Sequence, residues 1–157
     1  MCIFHSWVSE DLHILKMDDG QICISPSQID KGYLRADDFA YLDLEGIRLG
    51  DHKPSMEYPF HLSIYRQNSE IKGIMHLHPP VIVALSLLSK QNPVLKKLLQ
   101  KFDLGYAEYA IPGSDDLGDH ICNALAKGQQ TILMQNHGMI AVGKDLDEIK
   151  SRILNLN

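Results

Sequence analysis

Two apolar segments, Leu12–Met17 and Gln21–Ser25, are separated only by Asp18-Asp19-Gly20. A connection this short closes a hairpin, because parallel strands need a crossover of a dozen or more residues. Gly20 supplies the positive φ of the turn. Further along, Phe39–Leu44 reads as a short strand closed at Glu45-Gly46, and Ile71–His78 reads as another. Thr131–Gln135 and Met139–Val142 read as strands around Asn136-His137-Gly138. Helices are expected between them. Lys53-Pro54-Ser55 starts one over Met56–Gln67 with Ser55 as N-cap, and Pro79-Pro80 opens one through Ser89. Ser114 caps a third that runs to Lys127, and Asp145–Leu154 forms the last. Strands and helices alternate without the strict spacing of a parallel doubly wound fold. The pattern predicts a layered α/β sandwich with a mostly antiparallel sheet.

The chain has 157 residues and no repeat, low-complexity tract or linker, so one domain, 1–157, is expected. A net charge of −5 with scattered basic residues argues against nucleic acid or an anionic membrane as partner, since both need a concentrated Lys/Arg footprint. Met1–His5 has no basic flank leading into an apolar core, so no signal peptide is expected. Cys2, Cys23 and Cys122 fall at no metal-ligand spacing and read as reduced thiols of a cytoplasmic protein. In the segment between Ser89 and Tyr109, Leu95, Leu98 and Leu99 read as one helix face and Lys96, Lys97 and Lys101 as a solvated one.

The chemistry concentrates in histidines. On a strand, residues two apart share a face, so His76 and His78 of Met75-His76-Leu77-His78-Pro79 project side by side. Their imidazoles can meet one cation at about 2.0–2.1 Å. Pro79-Pro80 ends the strand and is expected to leave the pair at a sheet edge. His137, in a turn between two apolar strands, is a candidate third ligand; a turn histidine bonded to backbone is the equal alternative. Three neutral imidazoles with an open position form the pattern of a catalytic zinc. Glu57 reads either as a carboxylate serving such a metal or as a first-turn helix residue favoured by the dipole. His61 reads as a packed or supporting residue, and His5, His13, His52 and His120 as structural.

Three segments together resemble the class II aldolase/adducin family: Lys53–Arg66, containing Ser55-Met56-Glu57; Ile74–Ser86, containing His76-Leu77-His78; and Leu133–Leu146, containing Asn136-His137-Gly138. Ser25-Pro26-Ser27-Gln28 resembles the family's early substrate-phosphate loop. The resemblance runs in order over most of the chain, which is short at both ends relative to the family. It implies a three-layer α/β/α sandwich and a zinc (or other divalent metal) ion held by His76, His78 and His137. It implies Glu57 as the acid/base and Ser27 and Ser55 near the substrate. It further implies an aldolase-type lyase that acts on a small sugar phosphate through a metal-stabilised enediolate, in a homo-oligomer, commonly a tetramer. An epimerase, dehydratase or decarboxylase using the same metal, or a non-catalytic adducin-like interaction domain, are the alternatives. Three positions depart from the family's phosphate-binding pattern. Ser6-Trp7-Val8-Ser9 stands for Gly-Asn-[Ile/Val]-Ser, Met56 replaces a serine, and Gln28 replaces a glycine.

Overall fold

A computed structural model of the chain describes residues 12–27 and 33–156, the side chains of Leu12 and His13 excepted. The strands are β1 (Leu12–Lys16), β2 (Ile22–Ile24), β3 (Ala40–Leu42), β4 (Gly73–Leu77), β5 (Gly105–Ala107), β6 (Thr131–Met134) and β7 (Met139–Gly143). The helices are α1 (Tyr58–Gln67), α2 (Pro80–Ser86), α3 (Pro93–Lys101), α4 (Asp115–Leu125) and α5 (Leu146–Leu154). The described strands form one sheet in the order β3-β2-β1-β4-β7-β6-β5. Every pairing is antiparallel except β5 with β6. The mostly antiparallel α/β architecture is therefore the one expected.

Alternation along the strands sorts side chains to two faces. Ile14, Ile22, Ile24, Ile74, Ile140 and Val142 turn to one face, where they share a core with Phe60 and Ile64 of α1 and Leu117 and Ile121 of α4. Met75, Leu77, Met139 and Ala141 turn to the other and meet Ile149 and Ile153 of α5, with Ile82 of α2 alongside. Each fully buried aliphatic side chain contributes about 1.5–3 kcal/mol relative to exposure. Both faces of β4 and β7 are covered, so all five residues of each are buried, as a central strand requires. Helices α1 and α4 pack closely because Gly118 leaves room. A Cβ there would meet Ser63 Oγ at 2.9 Å and Phe60 Cα at 3.4 Å.

Several boundaries differ from expectation. Helix α1 begins at Tyr58, with Glu57 rather than Ser55 at the N-cap position. Pro59 explains the delay, because a helix capped at Ser55 would need the N–H that proline lacks. Strand β4 ends at Leu77, which leaves His78 just beyond it, and α2 stops at Ser86 rather than Ser89. β5 was not expected. Gly105-Tyr106-Ala107 has too few residues for a period, and it becomes a strand only by pairing with β6. Ser114 caps α4 as expected, accepting from Leu117 N, and Asp145, expected as the first residue of the last helix, instead stands before α5 as its cap, accepting from Glu148 N. On α3, Leu95 is fully buried, Leu98 and Leu99 are half-buried, and Lys96, Lys97 and Lys101 are exposed.

Candidate metal centre

The histidines converge at one end of the sheet. His76 lies on β4 with its side chain on the α1 face, the same face as Ile74, and is fully buried. His78 follows after one intervening residue. His137 comes from the β6–β7 turn, where Asn136 adopts φ 55°, a left-handed conformation that asparagine tolerates. Ring centroids are 4.4 Å apart for His76 and His78, 4.8 Å for His76 and His137, and 5.2 Å for His78 and His137. One ring nitrogen from each lies within 4.8 Å of the others. The expected sheet edge is corrected: β4 is the central strand, and the cluster sits where β4 ends and β7 begins.

Two further contacts shape the turn. Asn136 N–H donates to the Ser86 carbonyl at 2.9 Å, tying the turn to the end of α2, and Gln135 N–H donates to Ala107 of β5 at 3.0 Å. Gly138 permits the close passage of β7 against the β4 end. A Cβ there would meet Leu77 O at 2.6 Å and His78 Cδ2 at 2.8 Å.

Glu57 completes the group. Its Oε1 lies 3.1 Å from His137 Nε2, and its Oε2 lies 3.2 Å from His76 Nδ1 in a contact outside good hydrogen-bond geometry. Burial alone would raise the Glu57 pKa, but the His137 and His76 imidazoles outweigh it and hold the carboxyl well below the usual carboxylate range. Burial lowers the pKa of His76 and favours the neutral imidazole, the form that ligates metals. His76 Nε2 and His137 Nδ1 are buried without a hydrogen-bond partner. Converging imidazole nitrogens beside one carboxylate make a donor set suited to zinc or a similar divalent ion. The residues present fit such an ion.

The remaining candidates are placed less centrally. Ser27 N–H donates to the Lys53 carbonyl at 3.2 Å, and Ser55 N–H donates to the Ser25 carbonyl at 3.3 Å. The two serine loops thus lie side by side, leading directly into Glu57. Ser55 Oγ accepts from Glu57 N–H at 3.4 Å. Met56 projects outward, 78% exposed. Ser6–Ser9 and Gln28 lie outside the described residues, as do Cys2 and His5. His120 Nδ1 is 2.9 Å from the Glu108 carbonyl, a backbone tie. Cys23 and Cys122 are free thiols, and burial raises both, Cys122 to about 11. Among the described residues, no helix is long and apolar enough to cross a membrane. The sequence carried no sign of the Gln135 carboxamide accepting Tyr109 N–H at 3.1 Å, a contact made only once β5 and β6 are side by side.

The chain is similar to known proteins over most of its length. The chain is 33% identical over 141 residues to 3-oxo-tetronate 4-phosphate decarboxylase of Haemophilus influenzae, covering 84% of this chain and 66% of that protein. It is 33% identical over 130 residues to L-fuculose phosphate aldolase of Methanocaldococcus jannaschii, covering 80% of this chain and 68% of that protein. The chain thus spans about two thirds of the length of these relatives. Among solved structures, the Klebsiella pneumoniae protein YgbL superposes with a TM-score of 0.80 at 28% identity, covering 94% of this chain and 74% of that one. The model of the Class II Aldolase and Adducin N-terminal domain family matches residues 9–157. By this match and by its fold, the chain belongs to the class II aldolase and adducin family.

Proposed function

We propose that the chain is the catalytic domain of a divalent-metal-dependent lyase that cleaves a C–C bond beside a carbonyl in a small sugar phosphate or related hydroxy-carbonyl compound. The observation that carries this reading is the cluster itself. Three histidines offer ring nitrogens within 4.8 Å of one another, and the Glu57 carboxylate lies between His76 and His137. A scaffold has no physical need for such a convergence, because buried ring nitrogens such as His76 Nε2 and His137 Nδ1 cost stability when they make no hydrogen bond.

His76, His78 and His137 would hold the ion, and zinc fits the donors. Such an ion supplies an electrophile for the negative charge that develops on the substrate's oxygens as the bond breaks. Glu57 is ionised and placed within reach of the same space, so it serves as the base that takes a proton from the substrate hydroxyl and later returns it to carbon. Ser27 and Ser55, on adjoining loops at the entry to α1, are the groups proposed to orient the substrate's polar end.

A decarboxylase is the second reading, favoured by the similarity to the Haemophilus influenzae enzyme. It needs the same electrophile, with CO2 leaving in place of an aldehyde. Elemental analysis of the purified protein beside His76→Ala/His78→Ala tests the common premise. Near-stoichiometric zinc that vanishes in the variant is expected. Folded wild-type protein that cannot be loaded would remove the reading. Turnover of hydroxy-ketone phosphates against 3-oxo acid phosphates, followed as aldehyde or CO2 release, then separates the two reactions.

A further inference from the structure

One more imidazole is enclosed beside the three histidines. His61 is 1% exposed, one turn after Glu57 on α1. Its ring stacks on Phe60 at 3.9 Å between centroids and lies 5.7 Å from the ring of His76. Its Nδ1 is 2.9 Å from the carbonyl oxygen of Glu57. A carbonyl only accepts, so Nδ1 carries the proton and donates. Nε2 is buried without a hydrogen-bond partner.

Packing alone does not call for this residue. A phenylalanine of similar shape would stack on Phe60 and leave no lone pair buried, which is a destabilising defect. What the nitrogen gains is a hold on the residue at the N-cap position. Glu57 has φ −89° and ψ 3°, and its own side chain makes no cap hydrogen bond. The hydroxyl of Ser55 reaches the Glu57 N–H only at 3.4 Å, a longer tie than the one from His61.

We infer that His61 is a positioning residue, whose Nδ1–H fixes the Glu57 backbone and thereby aims the carboxylate at His76 and His137. The inference rests on the proposed cation site and assigns it a supporting hydrogen bond from α1. His61 touches neither substrate nor ion; it acts through Glu57.

The test is the visible absorption spectrum of the cobalt(II)-loaded protein, which responds to ligand identity and geometry, read with cobalt affinity. His61→Phe keeps the ring and removes the donor. His61→Asn returns an amide N–H near the Nδ1 position. Glu57→Gln supplies the reference for a displaced carboxylate. The expected result is a His61→Phe spectrum shifted toward that of Glu57→Gln, with cobalt bound roughly tenfold more weakly, and a wild-type spectrum for His61→Asn. If His61→Phe does not fold, His61→Gln, whose amide falls nearer Nε2, replaces it and is expected to show the shifted spectrum. Wild-type spectra in every His61 variant, with only a lower melting temperature, would overturn the inference and leave His61 a packing residue. Wild-type protein that binds no cobalt would overturn the cation site itself, and the inference with it.

Discussion

The Glu57 carboxylate and the His137 imidazole stand 3.1 Å apart, Oε1 to Nε2, though one begins α1 and the other sits in the β6–β7 turn. The sheet closes that gap. β4 pairs with β7 from Gly73↔Gly143 to Leu77↔Met139, so the turn is carried to the end of β4, and α1 packs across the same face. Glu57 and the three histidines are therefore held on one framework.

Glu57→Gln keeps the size of the side chain and removes the charge. Turnover is expected to fall about 10²–10⁴-fold, the usual contribution of a positioned acid/base. The measurement is kcat on whichever carbonyl substrate the wild type consumes, with circular dichroism to verify folding. Undiminished kcat would remove Glu57 from the chemistry.

Removal of the metal should lower stability, because an ion that binds only the folded state stabilises it by mass action. At a free zinc concentration of 100 Kd the gain is about 2.7 kcal/mol. Thermal melts with zinc and with chelator should differ for the wild type and coincide for His76→Ala/His78→Ala. A zinc-induced shift that persists in the double variant would place the binding elsewhere.

Gly138→Ala puts a methyl group against Leu77 O and the His78 ring. The β7 backbone or His78 must give way, at a cost of about 1–3 kcal/mol. Chemical denaturation should record that loss, and zinc titration a weaker site. A variant as stable and as tight-binding as the wild type would mean that the approach at this point is looser than the distances indicate.

Acid should destabilise the metal-free protein well before ordinary carboxylates titrate. Burial, reinforced by His76, lowers the His61 pKa from 6.5 to about 3. Between those values the unfolded chain binds a proton that the folded chain does not, so stability falls as pH drops below about 6.5. His76 shifts in the same direction, chiefly through burial. Urea unfolding of the chelated protein at pH 7 and pH 5 should show the decline, and His61→Phe should flatten part of it. An equal slope in the variant would assign the pH dependence to other groups.

The local signals in the sequence were those that short-range physics makes explicit. Asp18-Asp19-Gly20 closed the β1–β2 hairpin, with Gly20 at φ 88°. Ser114 caps its helix because a side-chain oxygen next to free N–H groups needs no distant partner. The two-residue period put His76 on one face of its strand, and His78 stayed close to it even though the strand ended first. Helix α1 starts later than the N-cap preference of Ser55 implies, because Pro59 has no N–H to donate to the Ser55 carbonyl.

The sequence by itself determined the β1–β2 turn, the Ser114 cap, the antiparallel character of the sheet and, through its resemblance to a family, which histidines to watch. Tertiary structure alone decided that β5 is a strand, that β4 is central rather than at an edge, and that Glu57 faces His76 and His137. The reason is range. A cap or a hairpin is settled by neighbours a few residues away. Strand order and the meeting of side chains from α1, β4 and the β6–β7 turn depend on how both faces of the sheet are buried at once.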